Sequence, residues 1–366
     1  MINLEKGKVV ALLEVRGEAT ELLVRLGKRR EKALNYNSLT GPVFPGDTVE
    51  VNTSAVRLGL GTGGYHFIYF NYRKPRNFTG SGEVDESCKG HIMKLRYTPQ
   101  QLQVNSCEEG GKQRKEIEGF TGLNGSPVII GELHSMVAAA ALCLKQLEPD
   151  VSLSYVMTDS ASLPLALSCS VERLRRGGFL GGAITCGQAF GGDLEAVNVY
   201  TGLIAAFRSA ASDMALLFPG PGVVGTGTRY GFSGMEVGEN VNRVISLGGT
   251  PVVVPRLSFA DPRGRHRGIS HHTLTSLTMK HVQTAYLPLP ILNGEEGKIV
   301  AGQIEEYCLQ EKHNIRLVDA NISWAQAGAA GIPLRTMGRG PEEDPAFFQA
   351  VAAAAKLAEE LRSESF

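Results

Sequence analysis

The chain lacks an excess of either charge: among its 366 residues, 37 Lys and Arg face 37 Asp and Glu. A balanced chain has no long-range field toward nucleic acid or an anionic membrane, so neither is an expected partner. Cysteine is sparse and unpaired. Cys88, Cys107, Cys143, Cys169, Cys186 and Cys308 form no CxxC pair and no disulfide framework, as in a reducing cytoplasm. No apolar run approaches the ~20 residues of a membrane helix. The opening MINLEKGKVV carries charge where a secretion signal needs an apolar stretch. The expectation is a cytoplasmic protein. Three catalytic signatures are also missing: there is no GK[ST] phosphate loop, no HExxH and no GxSxG elbow.

What is present follows two different patterns, and a chain of this length is expected to form two domains. Up to residue 120, KVVALLEV, TELLVRL, DTVEVNTSAV, YHFIYFNY and HIMKLRY are short Val-, Leu- and aromatic-rich runs separated by Gly, Pro, Asn and Asp. They predict a β-rich domain over 1–120, an antiparallel barrel or sandwich. PGD at 45–47 is turn chemistry. The basic GKRREK at 27–32 has no interleaved aromatics and reads as a hairpin tip, not a nucleic-acid surface. LGLGTGGYHF at 58–67 leads into a strand, which suits a hairpin or bulge.

Over 121–366, apolar runs such as PVIIG, SLSYVMT, GGAITC, DMALLF and PVVV alternate with amphipathic segments of helical period. That pattern predicts an α/β domain, a mostly parallel sheet with helices on both faces. AFFQAVAAAAKLAEELR reads as a last helix, on the sheet or on a partner subunit, which leaves a homo-oligomer open.

Open parallel sheets bind ligands at the carboxyl ends of their strands. The loops expected there carry Glu132, His134 and Ser135; Thr158, Asp159 and Ser160; Gln188, Asp193 and Glu195; then PGPGVVGTGTRYG and RLSFADPRGRHRGISHHT. Helix capping accounts for Asp193, Ser270 and Ser162 one at a time. It does not account for His134, His271, His272 and several arginines on one edge.

GPGVVG at 220–225 matches GxGxxG, but it follows the fourth α/β strand instead of the first, and TGTRYG delays the helix. Arg256, where a dinucleotide site would place an acid, suits a 2′-phosphate. As a backbone nest, Gly220, Gly222, Gly225 and Gly227 with the Thr226 and Thr228 hydroxyls suit a phosphate or carboxylate. Arg256, Arg263, Arg265 and Arg267 form a cationic cluster with His266, Asp261 and a helix start near Ser270. It is either an anion site or a solvated mobile loop. Asp193 with His134 and Asp159, joined by His271 or His272, would suit a divalent metal ion. Adjacent His271 and His272 diverge by about 100° on a helix, so both are not expected on one ion. Ser135 or Ser160 could be activated by His134 or His272. Cys186 reads as a nucleophile or a core filler.

LGLGTGGYHF, GHIMKLRYTP, GQAFGGDLEAV, GPGVVGTGT and RHRGISHHTLT, in that order, resemble a bacterial family known as domain of unknown function 3866. The resemblance implies a cytoplasmic member of that group and no activity. It leads one to expect histidine where Gln188 stands, so no catalytic role is carried to that position.

The functional expectation is an enzyme, a hydrolase or group transferase, acting on a small anionic or phosphorylated metabolite. His134, Asp159, His271 and His272 are the catalytic candidates, and the glycine loop and arginines hold the anion. A non-catalytic metabolite sensor is the alternative, and an NADP-dependent oxidoreductase a minor one.

Overall fold

A computed structural model describes residues 2–60, 63–73 and 90–364. The chain forms two compact units, Met1–Asn105 and Ser106–Phe366. Gly61 and Thr62 of the glycine-dense stretch, and Cys88, lie outside the described residues.

In the first unit β1 (Leu4–Arg16), β2 (Ala19–Leu26), β3 (Arg29–Tyr36), β4 (Thr48–Asn52) and β5 (His66–Asn71) close a barrel in the order β1-β2-β3-β5-β4. All pairs are antiparallel except β3 with β5. This is the connectivity of an OB-type Greek-key barrel. Period-2 alternation explains its core: Leu22, Val24 and Leu26 of β2 meet Val49 and Val51 of β4 inside. Register shifts near Val9 and Leu12 bend β1, so its first half pairs with β4 and its second with β2. GKRREK is indeed a hairpin, with Gly27 at φ +58° in the turn. A short hairpin of β6 (Ile92–Lys94) and β7 (Leu102–Val104) follows.

The second unit is built on eight parallel strands: β8 (Pro127–Ile130), β9 (Leu153–Thr158), β10 (Gly182–Cys186), β11 (Leu194–Ala196), β12 (Met214–Pro219), β13 (Thr250–Val253), β16 (Tyr286–Pro290) and β17 (Asn314–Val318). Their order is β11-β10-β9-β12-β8-β13-β16-β17. Alternate residues feed two cores. Ile129, Tyr155, Met157, Leu216 and Phe218 pack under helices Ser135–Leu147 and Pro345–Glu364. Val128, Ile130, Val156, Ala215 and Leu217 pack under helices Val199–Arg208, Glu236–Ser246 and His271–Leu277. Both faces are covered, which is why the strands read as unbroken apolar runs. The last helix lies on the sheet, where Ala350 and Ala352–Ala355 are fully buried.

Two elements depart from the sequence reading. DLEAV, expected to open a helix, supplies β11, whose register is Ile184↔Leu194. YLPLP is β16, although proline removes ladder donors. The β13–β16 ladder is accordingly reduced to one pair, Val252↔Tyr286, and β16 is held by five pairs to β17. A small antiparallel ribbon, β14 (Leu257–Ser258) with β15 (Gly268–Ile269), carries the arginine–histidine loop across its end. Among the described residues no helix is long and apolar enough to cross a membrane.

The β8, β12 and β13 ends converge because β8 leads left to β9, whereas β12 and β13 lead right. Neighbouring strands with diverging exits leave a crevice between them. Gly131, the first residue past β8, makes room there: a Cβ on it would overlap the Phe218 ring and lie 2.8 Å from Met136 Sδ. Gly131→Ala is expected to cost about 1–3 kcal/mol of unfolding free energy, read as a lower denaturation midpoint that Phe218→Leu partly restores. An unchanged midpoint contradicts this packing.

Candidate functional site

Two residues past β8 and three past β13, Glu132 and Arg256 meet below the crevice. Glu132 is 3% and Arg256 5% exposed at the side chain, with Glu132 Oε1 3.5 Å from Arg256 Nη1. Arg256 Nη2 lies 3.4 Å from Asp261 Oδ2 on the other side. Asp261 in turn accepts from Arg263 Nε at 2.9 Å and Nη2 at 2.8 Å, and the Arg263 guanidinium holds its carboxyl well below the usual carboxylate range. Ser258 Oγ donates to Asp344 Oδ2 at 2.8 Å, and Arg339 Nε donates to the same carboxylate at 3.1 Å. Acid and base alternate along the whole chain of contacts, as buried charges require.

The backbone of Arg256 fixes the next element. Its N–H donates to Thr273 Oγ1 at 3.1 Å, and its carbonyl accepts from Ser270 N at 2.8 Å. Ser270 caps helix His271–Leu277, accepting the His272 N–H at 3.2 Å, as the sequence suggested. That cap presents three imidazoles together. His266 Nδ1 is 2.7 Å from Ser270 Oγ, and ring centroids separate by 5.1 Å (His266–His271), 5.0 Å (His266–His272) and 4.3 Å (His271–His272). His272 stacks on Phe232 at 3.9 Å, and its Nδ1 faces Glu132 Oε1 at 3.5 Å. Burial, then the cations Arg256 and Arg263, push His266 down to about 3; burial and the neighbouring His272 lower His271 as well.

A cavity of about 100 Å³ opens above this floor, bounded by Glu132, Arg256, Arg263, Arg265, His272 and the 223–227 loop. The loop is a hairpin: Thr226 N donates to Gly231 O at 2.8 Å, and Ser233 N to Val224 O at 2.9 Å. A Cβ on Gly227 would lie 3.1 Å from Arg265 Nη1, which that side chain could relieve by a small shift, but the φ of +81° favours glycine.

Of the residues singled out from sequence, Gly225, Gly227, Arg256, Arg263, Arg265 and His272 thus come to one cavity, with His271 against it. The others do not line it. Thr226 and Thr228 bond each other at 3.0 Å and brace the hairpin. Gly220 packs on Met157 and Ser162, Gly222 is a turn residue at φ +90°, and Arg267 turns to the Phe259 ring.

The metal set of His134, Asp159 and Asp193 is not assembled. Asp193 pairs with Arg175 and accepts from Ala183 N, because the loop after β10 returns to the amino end of that strand before β11 begins. Asp159 accepts from Gln188 N at 2.8 Å. His134 leaves Glu132 for the opposite face of the sheet. Its Nδ1 faces the Pro219 carbonyl at 3.2 Å, and its Nε2 accepts from Ser168 Oγ at 2.6 Å. Ser168 itself caps helix Cys169–Arg176, so this serine–histidine pair ties elements together. Ser135 bonds Thr336, and Ser160 donates to Glu236, whose carboxyl burial pushes up. Cys186 is core. Sequence reasoning missed Phe232, Glu236 and Ser168 and gave Glu132 no role. The position of Glu132 just past a strand end was the available signal.

Two tests probe this frame. Arg256→Met leaves Glu132 and Asp261 buried and opposed, and is expected to cost about 3–5 kcal/mol by chemical denaturation; a neutral effect contradicts the network. Burial pushes His134 down to about 4, against the Pro219 carbonyl, so the fold holds it neutral. Its contribution is complete above about pH 6.5, the unfolded value, and is lost as pH falls toward about 4, at up to about 1.4 kcal/mol per unit. His134→Gln should flatten the stability–pH curve in that window, and an unchanged slope counts against it.

A family model described as "Protein of unknown function (DUF3866)" matches residues 32–355. No curated protein and no solved structure matches the chain. With the match running from within β3 of the barrel through the whole parallel sheet, the chain belongs to the DUF3866 family.

Proposed function

We propose that the cavity over β8, β12 and β13 binds the anionic group of a small metabolite, with a phosphoryl group the preferred occupant, and that the protein is a hydrolase or group transferase acting beside it. The observation that carries this reading is Arg265. Arg256 and Arg263 are matched by carboxylates, whereas Arg265 has no carboxylate partner among the described residues. It lies against Gly227, on the wall shared with His272. A planar fork beside a close-lying glycine backbone is the usual equipment for phosphate or carboxylate. His272, stacked on Phe232 and facing Glu132, lines the space beside the anion.

Size speaks against the dinucleotide reading. About 100 Å³ is well below the roughly 300–1,000 Å³ of a pocket enclosing a whole drug-sized ligand. It suits one anionic group, the rest of the molecule extending outward. The glycine loop also runs into a hairpin, and the helix that follows begins with the acidic Glu236. A pyrophosphate finds no helix N-terminus directly after the glycines.

Thermal unfolding with inorganic phosphate, followed by p-nitrophenyl phosphate turnover, tests the reading. Phosphate near saturation (about 100 Kd) is expected to raise Tm on the order of 5–10 °C, and Arg265→Ala to abolish the shift. Phosphate-dependent stabilisation with turnover lost in His272→Ala supports the enzyme. Stabilisation without turnover of any phosphoester supports the sensor. No stabilisation, or one that survives Arg265→Ala, overturns the site.

A further inference from the structure

We propose that His266, His271 and His272 hold a divalent transition-metal ion, of the zinc class, at the edge of the same cavity. One ring nitrogen from each residue lies within 4.8 Å of the other two. Tetrahedral coordination with Zn–N of about 2.0–2.1 Å sets ligand nitrogens roughly 3.4 Å apart. Closing that gap needs small ring rotations, which His271 can supply as the first residue of its helix.

A separate observation singles out a ligand. His271 Nε2 is buried and has no hydrogen-bond partner among the described residues, and a buried, unmet imidazole nitrogen is costly unless something occupies its lone pair. The other two rings are already oriented as ligands usually are. His266 Nδ1 is engaged by Ser270 Oγ at 2.7 Å, and His272 Nδ1 faces the Glu132 carboxylate at 3.5 Å, leaving each Nε2 for an ion. A carboxylate or hydroxyl behind a histidine fixes its tautomer and raises its basicity toward the metal. Phe232 further pins the His272 ring. A competing contact, Arg265 Nε to His266 Nε2, is long at 3.4 Å and would yield to an ion.

Three imidazoles select zinc, cobalt, nickel or copper over magnesium or calcium, and leave one position open. Glu132 and Asp261 offset the arginines around the site. For what the ion does, the proposal rests on the preceding reading: it would polarise an oxygen of the anion held by Arg265 and present water to it.

The test is titration of the chelator-stripped full chain with Zn²⁺ by calorimetry and with Co²⁺ by visible absorption, in phosphate-free buffer. One equivalent of each is expected, with the intense absorption of four-coordinate cobalt. His271→Ala should weaken binding by more than the ~10–100-fold that follows loss of an outer partner. His281→Ala, an exposed histidine outside the cluster, should leave it unchanged. Circular dichroism checks that His271→Ala is folded; if it is not, His271→Gln takes its place. No stoichiometric binding by the wild type, or full binding by a folded His271 variant, overturns the proposal. Arg265→Ala separates this site from the anion site, since it is expected to lose phosphate stabilisation and keep the metal.

Discussion

One buried guanidinium organises the carboxyl-end face of the parallel sheet in the second unit. Arg256 is held between Glu132 and Asp261, and its backbone grips Thr273 and Ser270. Through these four contacts it fixes the end of β8, the end of β13, the β14–β15 ribbon and the start of the His271 helix relative to one another. Burying such ions costs several kcal/mol each before their attraction returns it, so the network contributes little net stability. Its contribution is placement. Asp261 restrains Arg263, Phe232 stacks on His272 with Glu132 facing it, and the loop that crosses the ribbon is held by its neighbours instead of waving in solvent.

The same network explains the division of charge across the cavity. Below its floor every cation meets an anion. At its rim Arg265 stands without a carboxylate partner among the described residues, close over Gly227. The uncompensated positive field is therefore local to a space of about 100 Å³ in a chain of zero net charge. That locality is why composition gives no hint of the proposed anion site, whereas the loop pattern at the strand ends points to that region.

Much of the architecture is legible in the sequence. The two-faced apolar runs, the cap at Ser270 and the barrel-like first unit follow from periodicity and turn chemistry. β16 is hidden because Pro288 and Pro290 mask a strand that tolerates them by pairing mainly on one side. β11 is hidden because a three-residue strand carries almost no period. The GxGxxG match falls on a loop that borders the cavity, but its second half forms a hairpin and not a dinucleotide turn. His134 and Glu132 are two apart in sequence yet serve opposite faces of the sheet, which no spacing rule separates at a strand end. Adjacent His271 and His272 converge with His266 only because the ribbon folds the loop back onto the helix start, a long-range event with no local signature.

The proposed anion has one seat, the cavity over β8, β12 and β13. The most direct measurement is a crystal structure of the protein grown with inorganic phosphate or vanadate. A tetrahedral oxyanion is expected within hydrogen-bonding distance of the Arg265 guanidinium, between the Gly225–Gly227 backbone and the His272 ring. Well-ordered side chains around an empty cavity at saturating oxyanion, or an oxyanion bound only elsewhere, would contradict it.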